Sequence, residues 1–183
     1  LYRPPKLRSR LGGFFICLFY GVRRMNKYIS ICTIDHKSPS EELEALLQLH
    51  RELDLQETEI AKLPKVNVLE DYPGWFDTVE KCLDDVFVFG ASVDDKLVGF
   101  ISCRSAKTFN DGHVGVVSYL YVNSDYRRMG VGKRLWETAL DFFTGELKHK
   151  YITLDVYVTN QPALAFYESI GFSPYIQSMA YKL

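Results

Sequence analysis

The sequence predicts one α+β domain, a mostly antiparallel mixed sheet of six to seven strands flanked by about four helices. Three observations lead there. Six segments carry strand-like runs rich in Val, Ile, Phe and Tyr, and four others repeat apolar residues at helical spacing. The runs 86–93, 97–104 and 114–122 follow one another across polar breaks, which reads as an antiparallel meander. A length of 183 residues suits one domain, and neither an internal repeat nor a linker interrupts it.

The elements follow in order. Residues 28–34 (YISICTI) read as the first strand. Ser38 is placed to cap a helix, with Pro39 at its first position and Glu41 closing a capping box. Leu43, Leu46, Leu47, His50 and Leu53 then mark its apolar stripe, on which His50 reads as a packed residue rather than a ligand. Residues 56–73 are mixed and polar, and a short helix is expected over Trp75–Leu83. Asp94-Asp95-Lys96 reads as a hairpin turn between the first two meander strands. A basic loop at 127–132 leads into a helix bearing Val131, Leu135, Ala139, Phe142 and Phe143 on one face, with Gly145 placed to end it. Tyr151–Val158 is another strand. Asn160 caps a last helix that carries Ala163, Phe166, Tyr167 and Ile170, and Gly171 sits where a left-handed helix terminator belongs, with Phe172 packing back. Tyr175–Leu183 reads as a final strand.

Composition excludes several classes. An apolar fraction of 47% with 12 Tyr and 12 Phe rules out a disordered or collagen-like chain. The formal net charge of -1 argues against a protein built to coat nucleic acid. That average hides an asymmetry. Residues 1–24 hold six basic residues and no acidic one, leaving 16 basic against 23 acidic residues, a net charge of -7, over 25–183. The apolar run Leu11–Val22 is too short for a bilayer-spanning helix, and Arg23-Arg24 follows it in place of a small-residue cleavage site. Residues 1–24 are therefore read as upstream sequence before a start at Met25, and 25–183 as the domain. A basic arm lying on a membrane surface is the rival reading of the leader. Cys17, Cys32, Cys82 and Cys103 form no C-x-x-C pair, and the histidines form no ligand set, so no metal site is expected. Buried thiols in a reducing cytoplasm fit this pattern.

The chemistry concentrates at Tyr126-Arg127-Arg128-Met129-Gly130-Val131-Gly132-Lys133-Arg134. A helix N-terminus carries unpaired N–H groups and partial positive charge, so cations there are normally unfavourable. Arg127, Arg128, Lys133 and Arg134 nevertheless cluster at this point, and a bound polyanion resolves the conflict. Gly130 and Gly132 would let the backbone approach phosphate closely. A solvated basic turn whose glycines serve only its dihedrals is the plainer alternative. Rossmann and P-loop patterns fail here, at Leu135 and at Arg127 and Arg134 respectively. The match is to Arg/Gln-x-x-Gly-x-Gly/Ala.

This loop follows Leu120-Tyr121-Val122 and precedes Asn160-x-x-Ala-x-x-Phe-Tyr-x-x-x-Gly-Phe. With all three segments present, the chain resembles the GNAT N-acetyltransferase superfamily, closely over about 86–176 and by element order over 28–85. The resemblance implies a GNAT-like fold and acetyl-CoA as cosubstrate. It implies that Arg127, Arg128, Gly130, Val131, Gly132 and Lys133 bind the pyrophosphate. Leu120, Tyr121 and Val122 would pair with the pantetheine arm at a strand splay, and Asn160 would contact that arm. Tyr167 matches the tyrosine near the cofactor sulfur and would protonate the departing thiolate, while a backbone N–H near 120–122 stabilises the oxyanion. By its residues alone, Tyr167 reads as a core aromatic on an apolar helix face, like Phe166 beside it.

The strand 114–122 holds no carboxylate, so no general base is assigned; Asp155, Asp111 and His113 are candidates. Glu70, Asp71, Tyr72 and Trp75 could line an acceptor wall. The acidic body points to a cationic small-molecule amine as acceptor, with direct transfer of the acetyl group. A peptide or protein amine is the alternative acceptor, and a non-catalytic acyl-CoA-binding module is the alternative to an enzyme. Neither nucleic acid nor membrane is an expected partner, and a homodimer stays open.

Overall fold

The computed structural model describes residues 28–60, 62–63, 66–67, 78–83, 86–108 and 112–179. The leader, Cys17, Met25, Asp111 and the acceptor-wall candidates Glu70, Asp71, Tyr72 and Trp75 lie outside these residues.

The first strand, β1 (Ile29–Ile34), leads through a turn into the helix α1 (Ser40–Ile60). The expected capping box is absent. The Ser38 hydroxyl instead accepts from Asp35 N at 3.2 Å, and Ser38 N donates to Asp35 O at 3.0 Å, so the turn satisfies itself. At 21 residues α1 runs a further two turns beyond Leu53, into the polar segment. Two short strands, β2 (Lys62–Leu63) and β3 (Val66–Asn67), pair as a separate ribbon, and α2 (Val79–Leu83) supplies Cys82 and Leu83 to the core.

The meander is formed by β4 (Phe87–Val93), β5 (Lys96–Lys107) and β6 (His113–Val122). Asp94 and Asp95 take positive φ of 50° and 64°, giving the tight turn between β4 and β5. Next come α3 (Val131–Asp141), β7 (Ile152–Leu154) and α4 (Gln161–Ser169). The helix α3 does not stop at Gly145. It runs on as a π-helical turn, Phe142–Glu146, and reverses at Lys148, whose φ is 56°. At the end of α4, Gly171 has φ of 103° and Phe172 N returns to Tyr167 O at 3.0 Å, the terminator that the sequence signals.

Among the described residues the main sheet has five strands in the order β1-β4-β5-β6-β7, antiparallel except for the β6–β7 pair. It is therefore narrower than the six to seven strands expected. Of the final strand expected over 175–183, residues 175–179 form no strand, and Tyr175 and Ile176 stand exposed on consecutive positions, so neither face of that stretch is buried; residues 180–183 lie outside the described residues. Among the described residues, three helices of eight residues or more and the short α2 flank the sheet.

Two cores sandwich the sheet. On one face α1 and α2 bury Leu46, Leu49, Cys82 and Leu83 against Ile34, Val88 and Phe100. On the other, α3 buries Val131, Leu135 and Ala139 against Ala91, Ile101 and Val117, and Phe166 of α4 and Ile170 just after it pack on that cluster. Cys32, Cys82 and Cys103 carry thiols rather than disulfides, and burial pushes the Cys103 thiol up to about 12. His50 packs on the Phe100 ring at a centroid distance of 4.0 Å, a core residue as expected.

Candidate active site

The site begins where the sheet opens. The parallel β6–β7 register holds only Gly115–Ile152, Val116–Thr153 and Val117–Leu154. At the next residue the β5–β6 register shifts, since Ser102 faces Tyr119 while Cys103 faces Val117, which leaves Ser118 as an extra residue in β6. Such a bulge bends its strand and sharpens the local twist. From Ser118 to Val122, β6 continues against β5 without β7, so backbone groups on that edge look into a gap. The expected strand over Tyr151–Val158 is cut to Ile152–Leu154 at the same place.

One end of this gap is the basic loop. A 3-10 turn, Ser124–Tyr126, is capped by the Asn123 side chain, which accepts from Asp125 N at 3.2 Å. Arg128 and Gly130 then take positive φ of 65° and 89°. Gly130 caps α3 without a side chain, and the first intrahelical bond runs from Arg134 N to Gly130 O at 3.1 Å. The N–H groups of Val131, Gly132 and Lys133 therefore have no helical acceptor. Val131 itself is a core side chain, so its contribution to an anion would come from the backbone. Arg128 and Lys133 are exposed cations, and the 3.8 Å ion pair of Lys133 with Glu137 sits in solvent, where it holds little.

A Cβ built on Gly132 would meet Phe166 at 3.7 Å and Val122 at 3.8 Å, ordinary contacts. The chain's own packing does not demand a glycine there. Those distances also make the end of β6, the start of α3 and α4 mutual neighbours. Uncapped donors, surrounding cations and an open strand edge together suit a phosphate-bearing, extended ligand with amide groups along its arm. That is the chemistry of acetyl-CoA.

Arg127 has another occupation. Its Nε donates to Val122 O at 2.8 Å, its terminal nitrogen donates to Gln56 Oε1 at 2.7 Å, and its guanidinium lies 5.7 Å from the Tyr121 ring centroid. It ties the loop to α1. Tyr121 is buried, its hydroxyl donating to Glu52 at 3.0 Å, and burial followed by that carboxylate pushes its phenol up to about 12. Leu120 and Val122 belong to the α3-side core. The side chain of Asn160 accepts from Ala163 N at 3.3 Å, so its role here is to cap α4.

Tyr167 is half-buried between Phe166 and Phe172, with ring centroids at 5.5 and 5.7 Å. Whereas Phe166 joins the α3-side core, the Tyr167 phenol is pushed up to about 12 first by burial and then by the charge of Glu57 on α1. The phenol therefore feels a carboxylate of α1. Glu57 acts likewise on Tyr119 of β6 and on Tyr157, which follows β7.

Glu57, Asp54, Tyr119 and Tyr157 were not among the sequence candidates. A signal existed: Glu57 stands four residues after Leu53 and seven after His50, where the apolar stripe of α1 would continue. The sequence candidates for a base fare differently. Asp155 is exposed beyond β7, and His113 lies at the far end of β6, about 30 Å of strand from Val122. Among the described residues, no group of His, Cys, Asp and Glu could hold a metal ion, and no helix is long and apolar enough to cross a membrane.

Comparison with known proteins agrees with this geometry. The profile of the Acetyltransferase (GNAT) family matches residues 45–172. An N-alpha-acetyltransferase of Saccharolobus solfataricus is 29% identical over 124 residues, covering 62% of this chain and 72% of the relative. A peptidyl-lysine N-acetyltransferase of Escherichia coli is 30% identical over 79 residues, 43% of this chain and 44% of that protein. An aminoglycoside N-acetyltransferase solved in complex with CoA superposes with a TM-score of 0.63 at 16% identity, over 88% of this chain and 99% of the other, a likeness of fold.

Proposed function

The chain belongs to the GNAT acetyltransferase family and uses acetyl-CoA, and from that premise we propose that it acetylates the α-amine of a peptide or protein N-terminus. The sequence favoured a small cationic amine. Similar proteins favour the peptide alternative, since N-alpha-acetyltransferases align over 62%, 63% and 75% of this chain.

The observation that carries the reading is the convergence, at one gap, of an uncapped helix N-terminus, a strand edge that β7 leaves uncovered and a half-buried phenol. Acetyl-CoA supplies the activated acetyl group as a thioester. The N–H groups of Val131, Gly132 and Lys133, with the side chains of Arg128 and Lys133, hold its pyrophosphate. Arg127 positions this loop against α1, and the open edge of β6 between Ser118 and Val122 pairs with the pantetheine arm and donates an N–H to the oxyanion. Asn160 supports the arm through the turn it caps. Tyr167 stays protonated at every working pH because its phenol is pushed up to about 12, so its O–H is in place for the developing thiolate.

The transfer is direct. The described thiols sit on β1, α2 and β5, none of them on β6, α3 or α4, which form the gap. The acceptor enters from the α1 side, where Asp54 and Glu57 attract an ammonium group and Tyr119 and Tyr157 offer aromatic faces.

The test presents acetyl-CoA with lysine-free peptides bearing free N-termini, with Nα-blocked peptides bearing one lysine, and with polyamines and amino-sugars. Mass spectrometry is expected to find acetyl groups on the free N-termini. Acetylation confined to lysine or to the small amines overturns the acceptor assignment. Tyr167→Phe is expected to lower kcat by about a hundredfold or more while the calorimetric affinity for acetyl-CoA holds. An undiminished rate removes Tyr167 as the acid.

A further inference from the structure

We propose that Glu57, on the wall facing the acyl donor, is the proton acceptor of the transfer, a role that rests on the acetyltransferase reading above. The donor strand itself holds no carboxylate: β6 reads HVGVVSYLYV. The base must come from elsewhere, and α1 is fixed over the gap by contacts at successive turns. Glu52 accepts from Tyr121 and from Asn123, each at 3.0 Å. Gln56 accepts from Arg127 at 2.7 Å, and Ile60 O accepts from Thr159 at 2.8 Å. These bonds span from the end of β6, past the phosphate loop, to the segment that precedes α4.

Glu57 lies inside this bracket. It shares the helix face of His50 and Leu53, both buried against the sheet, and is itself half-buried. Phenols on three elements bordering the gap feel its charge: Tyr119 on β6, Tyr157 after β7 and Tyr167 on α4. Asp54, one turn earlier, is the charged neighbour on its own helix, and Arg104 of β5 acts on Tyr119 from the sheet. Burial, then Asp54, holds the Glu57 acid above the usual carboxyl range, which makes its anion the stronger base.

The proton balance is closed by these two side chains. The acceptor ammonium loses one proton to solvent before attack. The amine lone pair forms the C–N bond, and Glu57 takes the proton that the nitrogen then sheds. As the C–S bond breaks, its electron pair goes to sulfur, which receives the Tyr167 proton. The resulting phenolate is more basic than the Glu57 carboxylate and recovers the proton from it. The sum is amide, thiol and one proton released to water.

The experiment compares the full chain with Glu57→Gln and Glu57→Asp. The rate probe is the free-N-terminus peptide pool. The structural probe is a fluorinated tyrosine placed at 167, titrated by fluorine NMR with acetyl-CoA present. Glu57→Gln is expected to lower kcat by about a hundredfold or more, to remove the carboxyl ionisation from the acid limb of kcat/KM while that of the acceptor α-amine stays, and to leave the acetyl-CoA affinity unchanged. Glu57→Asp is expected to restore part of the rate. The fluorophenol is expected to titrate at lower pH in Glu57→Gln, because a negative charge facing it has gone. A Glu57→Gln enzyme that keeps its rate, or keeps the carboxyl ionisation beside that of the acceptor amine, overturns the proposal. If the wild-type chain acetylates no peptide, the acceptor assignment fails by itself. The titration then decides alone: a shift supports Glu57 facing Tyr167, and an unmoved fluorophenol overturns it.

Discussion

At position 50 a histidine occupies a core site, fully buried at 0% exposure, and burial alone lowers its pKa to about 3. Its folded pKa therefore lies below the ordinary value near 6.5, and the unfolded chain binds the extra proton first. Stability from this group is fully present above about pH 6.5 and is lost as pH falls toward 3. At pH 5 the penalty is about 2 kcal/mol. His50→Leu is expected to flatten that slope, so urea melts at pH 7 and pH 5 should differ less in the variant than in the wild type by about that amount. Equal slopes would show that His50 does not carry the acid sensitivity. The same residue illustrates what a single sequence discloses: its place on the stripe marks it as packed, yet nothing in the stripe says that a carboxylate two turns later faces three phenols.

At the scale of elements, the junction of β6 and α3 is the segment most readily read from sequence. Its signals are local: cations and two glycines between a strand run and a helical stripe. The structure adds that Gly132 is not required by the chain's own packing, since an added Cβ finds its nearest neighbour at 3.7 Å. Gly132→Ala should therefore keep both the fold and the affinity for acetyl-CoA within a few-fold. Gly132→Glu should abolish binding, because a bulky anion would stand among the donors meant for phosphate. Calorimetric titration separates the two, and equal affinities would remove the phosphate role of this helix end. Less of α1 was legible. Its polar last two turns look like loop, and what keeps them helical is tertiary: Gln56 on Arg127 and Ile60 O under Thr159, partners 71 and 99 residues away. Intrinsic propensity is weak beside such contacts. The described part of the expected final strand, 175–179, is not a strand for the converse reason, since it has no face that is buried.

The whole molecule is a sheet with two cores that share one weak line. Both flanking layers were inferable from periodicity, and so was the meander. The length of the β6–β7 pairing was not, because it depends on a bulge at Ser118 whose origin lies in the register with β5. That short pairing has a consequence for motion. Amide hydrogens exchange with solvent where they lack a hydrogen-bonded partner, and protection varies from one cooperative unit to the next. The amides of Ser118–Val122 that look into the gap should exchange quickly in the free protein, while those of β4 and the middle of β5 exchange slowly. With acetyl-CoA present, the gap-side amides should slow more than any in β4, as measured by hydrogen–deuterium exchange. No change there would mean that the arm does not pair with β6. In effect the domain is built one strand short along its functional line, and its donor substrate would serve as the missing strand.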